Sequence, residues 1–272
     1  MTRQSRRTGS RTASLAGGAH AIDTGTCELV QDGTGGWLVN INGVPSSHIP
    51  SPHIALDDLR ALEFGYMRWA ASAILCRWSE KSEMLRVLHL GGGACTLPRY
   101  VGEAFPAARQ VVVEIDGEVA RLAREWSDLP RAPRLRIRVG DAREVVAQLQ
   151  AATRDVIIRD VFAGDETPAA LCTTEFLGDV RRVLVPGGMY IANCGSVRGL
   201  RAAREDCART VEQFEHVLVV AEQATVKGRR PGNVVLVASD SPLDAVALAA
   251  KVRGGASTAV VLEGDGVRGF CG

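Results

Sequence analysis

The chain has 272 residues, enough for one large domain or one domain with a small appendage, and its 46% hydrophobic residues supply a sizeable core. Its 32 basic and 31 acidic residues leave a formal net charge of +1, which argues against a nucleic-acid partner or an anionic membrane surface. Seven scattered cysteines without a C-x-x-C pair argue against a disulfide framework or a zinc site and fit reduced thiols in the cytoplasm, and no apolar run reaches a membrane span.

Residues 1–22 are basic and rich in Ser and Gly, lack the apolar centre of a signal peptide, and read as a disordered tail, with a nucleic-acid arm as the lesser alternative. Residues 23–82 form a first unit. Its segment 27–49 reads as short strands, with Asn42-Gly43 as a two-residue hairpin turn because both residues tolerate positive φ. Residues 55–78 have helical spacing, with Leu59, Leu62, Tyr66, Trp69 and Ala73 on one apolar face.

From 83 to 255 strands and helices alternate. The strands are predicted at 86–90, 110–116, 135–139, 155–160, 189–194, 217–221 and 233–239. Near-continuous apolar strands between helices predict a parallel sheet covered on both faces, with ligands beyond the carboxyl ends of the strands where strand order reverses. The bridge 222–232 reads as an exposed turn, and 256–272 as a C-terminal tail holding one more strand and a turn.

The residues that follow each strand are the candidates. Gly91-Gly92-Gly93 lets the backbone turn tightly and approach a ligand closely, or serves only as a strand-to-helix turn. Glu114 ends the second strand, where an acid accepts from ribose hydroxyls; that suits NAD and S-adenosyl ligands equally, while Asp116 fits a helix cap. Asp141 follows the third strand, placed either for an adenine amino group or as a cap. Two acids on neighbouring strand ends favour an S-adenosyl ligand, and Thr96 at the third glycine of G-x-G-x-x-G disfavours NAD. Asp160 ends the fourth strand at the expected switch point. A carboxylate there attracts a cationic amine and takes its proton; the alternative is a buried acid satisfied by backbone donors. His48, His53 and His89 are separated and read as packing or surface residues rather than ligands, and neither Cys95 nor Cys194 has a nearby base.

Together "VLHLGGGACTLPRYV", "VVVEIDGEVARLA", "VGDAREVV", "DVIIRDVFAGDETPAALCTTEF" and "VLVPGGMYIANC" resemble the spermidine synthase (polyamine aminopropyltransferase) family, with its divergent bacterial branch the nearer match. "WLVNINGVPSSHI" and "LEFGYMRWA" are similar to that family's small β-domain and linking helix. The resemblance implies an α/β, Rossmann-like fold of the S-adenosylmethionine-dependent methyltransferase type, with a seven-stranded sheet and a small N-terminal β-domain. It implies a co-substrate, decarboxylated S-adenosylmethionine or S-adenosylmethionine itself, and no metal. The glycine loop and Glu114 would hold its ribose side and Asp141 with Ala142 its adenine end. Asp160 would deprotonate a small-molecule amine, Tyr66 would line the amine site, and the enzyme would be a homodimer. Two positions depart from the family pattern. Ala94 stands where an acid follows the triple glycine, and Ala163 where a second acid follows Asp160, which leaves Asp165 or Glu166 to bind the substrate. An aminopropyltransferase is therefore expected, with a methyltransferase on the same scaffold and a non-catalytic nucleoside binder as alternatives.

Overall fold

The computed structural model describes residues 15–51, 53–79, 83–164, 166–195, 199–253 and 258–272. The chain begins with β1 (Gly18–Ile22), β2 (Gly25–Gln31), β3 (Trp37–Ile41) and β4 (Val44–Ile49), which form an antiparallel meander. Asn42 (φ 51°) and Gly43 (φ 79°) turn β3 into β4, as their tolerance of positive φ predicts. The tail expected over 1–22 gives way to β1 at Gly18, because Gly18–Ile22 pairs in register with Gly25–Leu29. Residues 1–14 lie outside the described residues.

The helix expected over 55–78 is shorter. A 3-10 turn at Leu59–Ala61 comes first, Phe64 is extended, and α1 runs Gly65–Arg77. The Arg68 guanidinium donates to the Leu62 and Glu63 carbonyls at 2.6 and 2.9 Å and so fixes how the chain enters the helix.

The second unit alternates as expected: β5 (Arg86–Leu90), α2 (Thr96–Ala104), β6 (Arg109–Glu114), α3 (Gly117–Trp126), β7 (Leu135–Val139), α4 (Ala142–Gln148), β8 (Arg154–Arg159), α5 (Thr174–Val183), β9 (Leu184–Gly195) and α6 (Arg201–Gln213). It continues with β10 (His216–Glu222), α7 (Gln223–Val226), β11 (Asn233–Ser239), α8 (Ala245–Val252), β12 (Ala259–Leu262) and α9 (Asp265–Cys271). The sheet order is β12-β10-β11-β9-β8-β5-β6-β7. Strands β9, β8, β5, β6 and β7 are parallel, whereas β11, β10 and β12 run antiparallel to their neighbours.

Three expectations change. The sheet has eight strands rather than seven, because Val219–Glu222 of β10 pairs with Ala259–Leu262. The sheet is mixed rather than parallel, because β10 and β11 are joined by a short connection that permits only an antiparallel return. The supposed exposed turn 222–232 carries α7, and the supposed tail supplies an edge strand and a terminal helix.

Both faces of the large sheet are covered. Val87, Val156, Ile158, Ile191 and Val237 face α1, α2 and α8; Leu88, Leu90, Ile157, Tyr190 and Leu236 face α4, α5 and α6. Strand order reverses at β5, whose neighbours are β6 and β8, so a crevice opens beyond their carboxyl ends. Among the described residues no helix is long and apolar enough to cross a membrane.

Candidate active site

The parallel registers set Leu90 beside Val113 on one side and Arg159 on the other, so the tips of β5, β6 and β8 lie level. The glycine loop leaves β5 between the other two. Gly91 has φ +86°, and a Cβ there would lie 2.0 Å from the Asp160 carbonyl oxygen. A Cβ at Gly92 would lie 2.7 Å from the Val112 side chain, so both positions exclude any larger residue on contact grounds.

Glu114 is knotted into this loop. Its Oε2 accepts from the amides of Gly92 (2.9 Å) and Gly93 (3.2 Å), and its Oε1 accepts from the Asp116 amide (3.2 Å). A carboxylate has about four acceptor positions, so capacity for further donors remains. Asp116 caps α3 through the Val119 amide and also accepts from the Thr24 amide and hydroxyl, at 2.7 and 2.8 Å. Asp141 caps α4, with Oδ1 accepting from the amides of Arg143 (2.7 Å) and Glu144 (3.1 Å), and Ala142 lies buried at the start of that helix. Two apolar side chains sit exposed beside these acids, Ile115 at 60% and Val139 at 56%. The sequence reading missed them, since an exposed aliphatic residue at a strand end carries no local signal of its own.

Asp160 stands at the crevice. The Tyr66 hydroxyl at the start of α1 donates to its Oδ2 at 2.9 Å, and the Asn193 amide at the end of β9 donates to its Oδ1 at 2.9 Å. The expected alternative of backbone donors is not what holds this carboxylate; two side chains do. Desolvation pushes its pKa up, opposed by the hydrogen bonds from Asn193 and Tyr66 and by the Arg159 charge. Burial, reinforced by the Asp160 charge, holds the Tyr66 phenol well above its usual range, so it remains a donor. Met67 is buried in the core and Arg68 is bound to backbone carbonyls, so neither takes part in this wall.

The small sheet braces the loop from outside. Ser47 Oγ accepts from the Ala94 amide at 3.0 Å, while Thr96 Oγ1 accepts from the His48 amide (3.1 Å) and donates to the His48 carbonyl (2.6 Å). Ala94 is 2% exposed and packs with Ile22, Leu29, Val39, Ile49, Leu122 and Trp126. The position that carries an acid in the resembled family is thus part of an apolar seam between the two units. Cys95 is buried in the left-handed conformation, and burial, with the Glu114 charge, pushes its thiol up to about 12.

Asp165 lies outside the described residues. Glu166 is exposed, on a small bridge in which the Ala163 amide donates to its carbonyl at 2.8 Å. Behind the site, Arg159 is 0% exposed and pairs with Asp206; its Nη1 also donates to the Leu171 carbonyl at 2.6 Å. Of the histidines, His89 is buried and bonded to Gln110 at 2.9 Å, with burial lowering its pKa to about 4; His48 Nε2 meets Asp32 at 2.6 Å; and His53 is exposed. These are packing and surface roles.

The family model described as the spermine/spermidine synthase domain matches residues 72–234, more than half of the chain. The chain belongs to the spermine/spermidine synthase family. The crystal structure of a probable spermidine synthase from Corynebacterium glutamicum ATCC 13032 is 45% identical, with a TM-score of 0.85, and the superposition covers 95% of this chain and 94% of that one. The polyamine aminopropyltransferase of Vibrio vulnificus is 30% identical over 143 residues, 52% of this chain and 46% of that enzyme, so the match spans under half of the relative's length. The human eEF1A lysine and N-terminal methyltransferase is 32% identical over 120 residues, 40% of this chain and 17% of that protein. The spermine/spermidine synthase family model thus spans α1 to β11, and the superposition on the Corynebacterium structure takes in the small sheet as well.

Proposed function

We propose that the protein is a spermidine synthase-like aminopropyltransferase that moves the aminopropyl group of decarboxylated S-adenosylmethionine to a nitrogen of a di- or polyamine. The observation that carries this reading is the Asp160 carboxylate at the crevice, oriented by two neutral donors. In the proposed reaction the amine nitrogen forms a bond to the aminopropyl carbon next to sulfur, the carbon–sulfur bond breaks, and methylthioadenosine leaves with the electron pair. The proton released from nitrogen goes to Asp160, while Tyr66 and Asn193 keep the carboxylate aimed at it.

The fit to a nucleoside rests on four features: a glycine loop free of Cβ atoms, Glu114 with spare acceptor capacity, Asp141 at the next strand end, and the exposed Ile115 and Val139, which suit the face of a planar base. With this reading go a cytoplasmic location and a homodimer, the latter checked by sedimentation of the purified protein.

One observation favours a second reading, a methyltransferase. Ala94 sits in an apolar seam, so no acid is available there for an aminopropyl ammonium, and an acid there would repel the carboxylate of the full cofactor. Calorimetry with decarboxylated and intact S-adenosylmethionine separates the two. Preference for the decarboxylated form, with methylthioadenosine produced from an amine panel and abolished by Asp160→Asn, is expected. Preference for the intact form with S-adenosylhomocysteine as product would establish the methyltransferase instead.

A further inference from the structure

Asp160 Oδ1 needs a donor, and a primary amide offers a donor on one side and an acceptor on the other. Turned the wrong way, Asn193 would present its oxygen to a carboxylate inside a site where Asn193 itself is 4% exposed. Something must therefore select the orientation. Strand β11 runs antiparallel to β9 with Val235 opposite Asn193 and Asn233 opposite Gly195, so Asn233 is the diagonal neighbour of Asn193 on the same face. Its Nδ2 donates to Asn193 Oδ1 at 2.9 Å. With that oxygen engaged, the Asn193 nitrogen is left for Asp160 Oδ1, also at 2.9 Å.

We propose that Asn233 is a positioning residue, which locks the Asn193 amide with its donor toward Asp160 and so completes a polar relay across β11, β9 and β8 to Tyr66 on α1. The relay rests on the functional reading only for its catalytic meaning; its geometry stands apart from any substrate. Among the described residues, the groups that bear on Asp160 are Tyr66 from α1, Asn193 from β9 and, on its own strand, Arg159, whose guanidinium is committed to Asp206 on α6. Asn193 is the one of these whose sense is reversible. Losing the lock removes a hydrogen bond that favours the ionised form, so the carboxyl should hold its proton to higher pH.

The test is the titration of the Asp160 carboxyl carbon by NMR in the intact protein without ligand, with the signal assigned by its loss in Asp160→Asn. Asn233→Leu and Asn193→Leu are each expected to move the titration to higher pH, and the double variant no further than Asn193→Leu alone. Asn233→Asp keeps the size of the side chain and covers the case in which the leucine variant fails to fold. It adds a charge that raises the titration by itself, so only a rise that is lost in the Asn193→Leu background, where there is no amide to turn, counts for the lock. In the active enzyme the acid limb of kcat/KM should move to higher pH with it, so that the loss relative to the parent grows as pH falls through the limb. An unchanged titration in the Asn233 variants, or an effect that adds fully to that of Asn193→Leu, overturns the relay. A titration that moves as expected in a protein that transfers nothing to any amine rejects the functional reading and keeps the relay.

Discussion

Two positions carry most of the chemical argument, and both are single side chains judged by what surrounds them. Asp160 has its pKa raised by desolvation, so the acid limb of kcat/KM should lie above the ordinary carboxylate range. The sign follows from the proposed role: a base must be ionised, so activity is lost as pH falls through the raised value. A pH profile with no such limb in the wild type would contradict it. Ala94 makes the opposite point. Introducing an acid by Ala94→Asp buries a carboxylate against Ile22, Leu29 and Trp126, and should cost on the order of 2–5 kcal/mol in chemical denaturation without improving affinity for decarboxylated S-adenosylmethionine, the proposed donor. Asp160 was legible in the sequence because an apolar run ends on it. Asn193 and Asn233 were not, since amides at strand ends look like ordinary turn residues until the pairing of β9 with β11 is known.

At the level of the element, the last residue of β8 and the one that follows it do two jobs. Asp160 faces the crevice, while Arg159 points through the opposite face to Asp206 on α6 and to the Leu171 carbonyl. The alternation of a strand makes this division automatic. The buried pair fixes the tip of β8 against α6, so Asp206→Ala should destabilise the protein by about 3–5 kcal/mol, because it leaves a guanidinium uncompensated in the core. Urea unfolding measures this, and a loss within error of zero would show that the pair is dispensable. The sequence reading missed the pair because an arginine inside an apolar strand looks like a surface residue, and its partner lies 47 positions away. The helices and parallel strands were legible because their periodicities are local. The shortening of the helix expected over 55–78 was not, since the apolar spacing runs on through the point where Phe64 is extended and Arg68 binds the carbonyls of the chain before it.

For the molecule as a whole, the C-terminal segment matters more than its composition suggested. β12 covers the edge of β10, and α9 seats Val267 and Phe270 in the core beside α6, with Cys271 Sγ 3.2 Å from Cys207 Sγ. Ending the chain after Thr258 exposes that edge and removes two buried side chains, worth about 3 kcal/mol or more together. A lower melting temperature and faster aggregation are expected, read by calorimetry and light scattering; a truncated form as stable as the parent would refute the assignment. Short aliphatic strands at a chain end give little signal alone, because their role depends on which edge they meet.

The contacts of Ser47 and His48 with Ala94 and Thr96 have a consequence for how such a protein diverges. The small meander is a buttress rather than an ornament: the glycine turn after β5 is shaped in part by hydroxyl and backbone groups lent from a separate sheet. Inheritance of the large sheet alone would therefore not carry the shape of that turn with it, and drift in those first hairpins reaches the crevice without any change in the strands that line it.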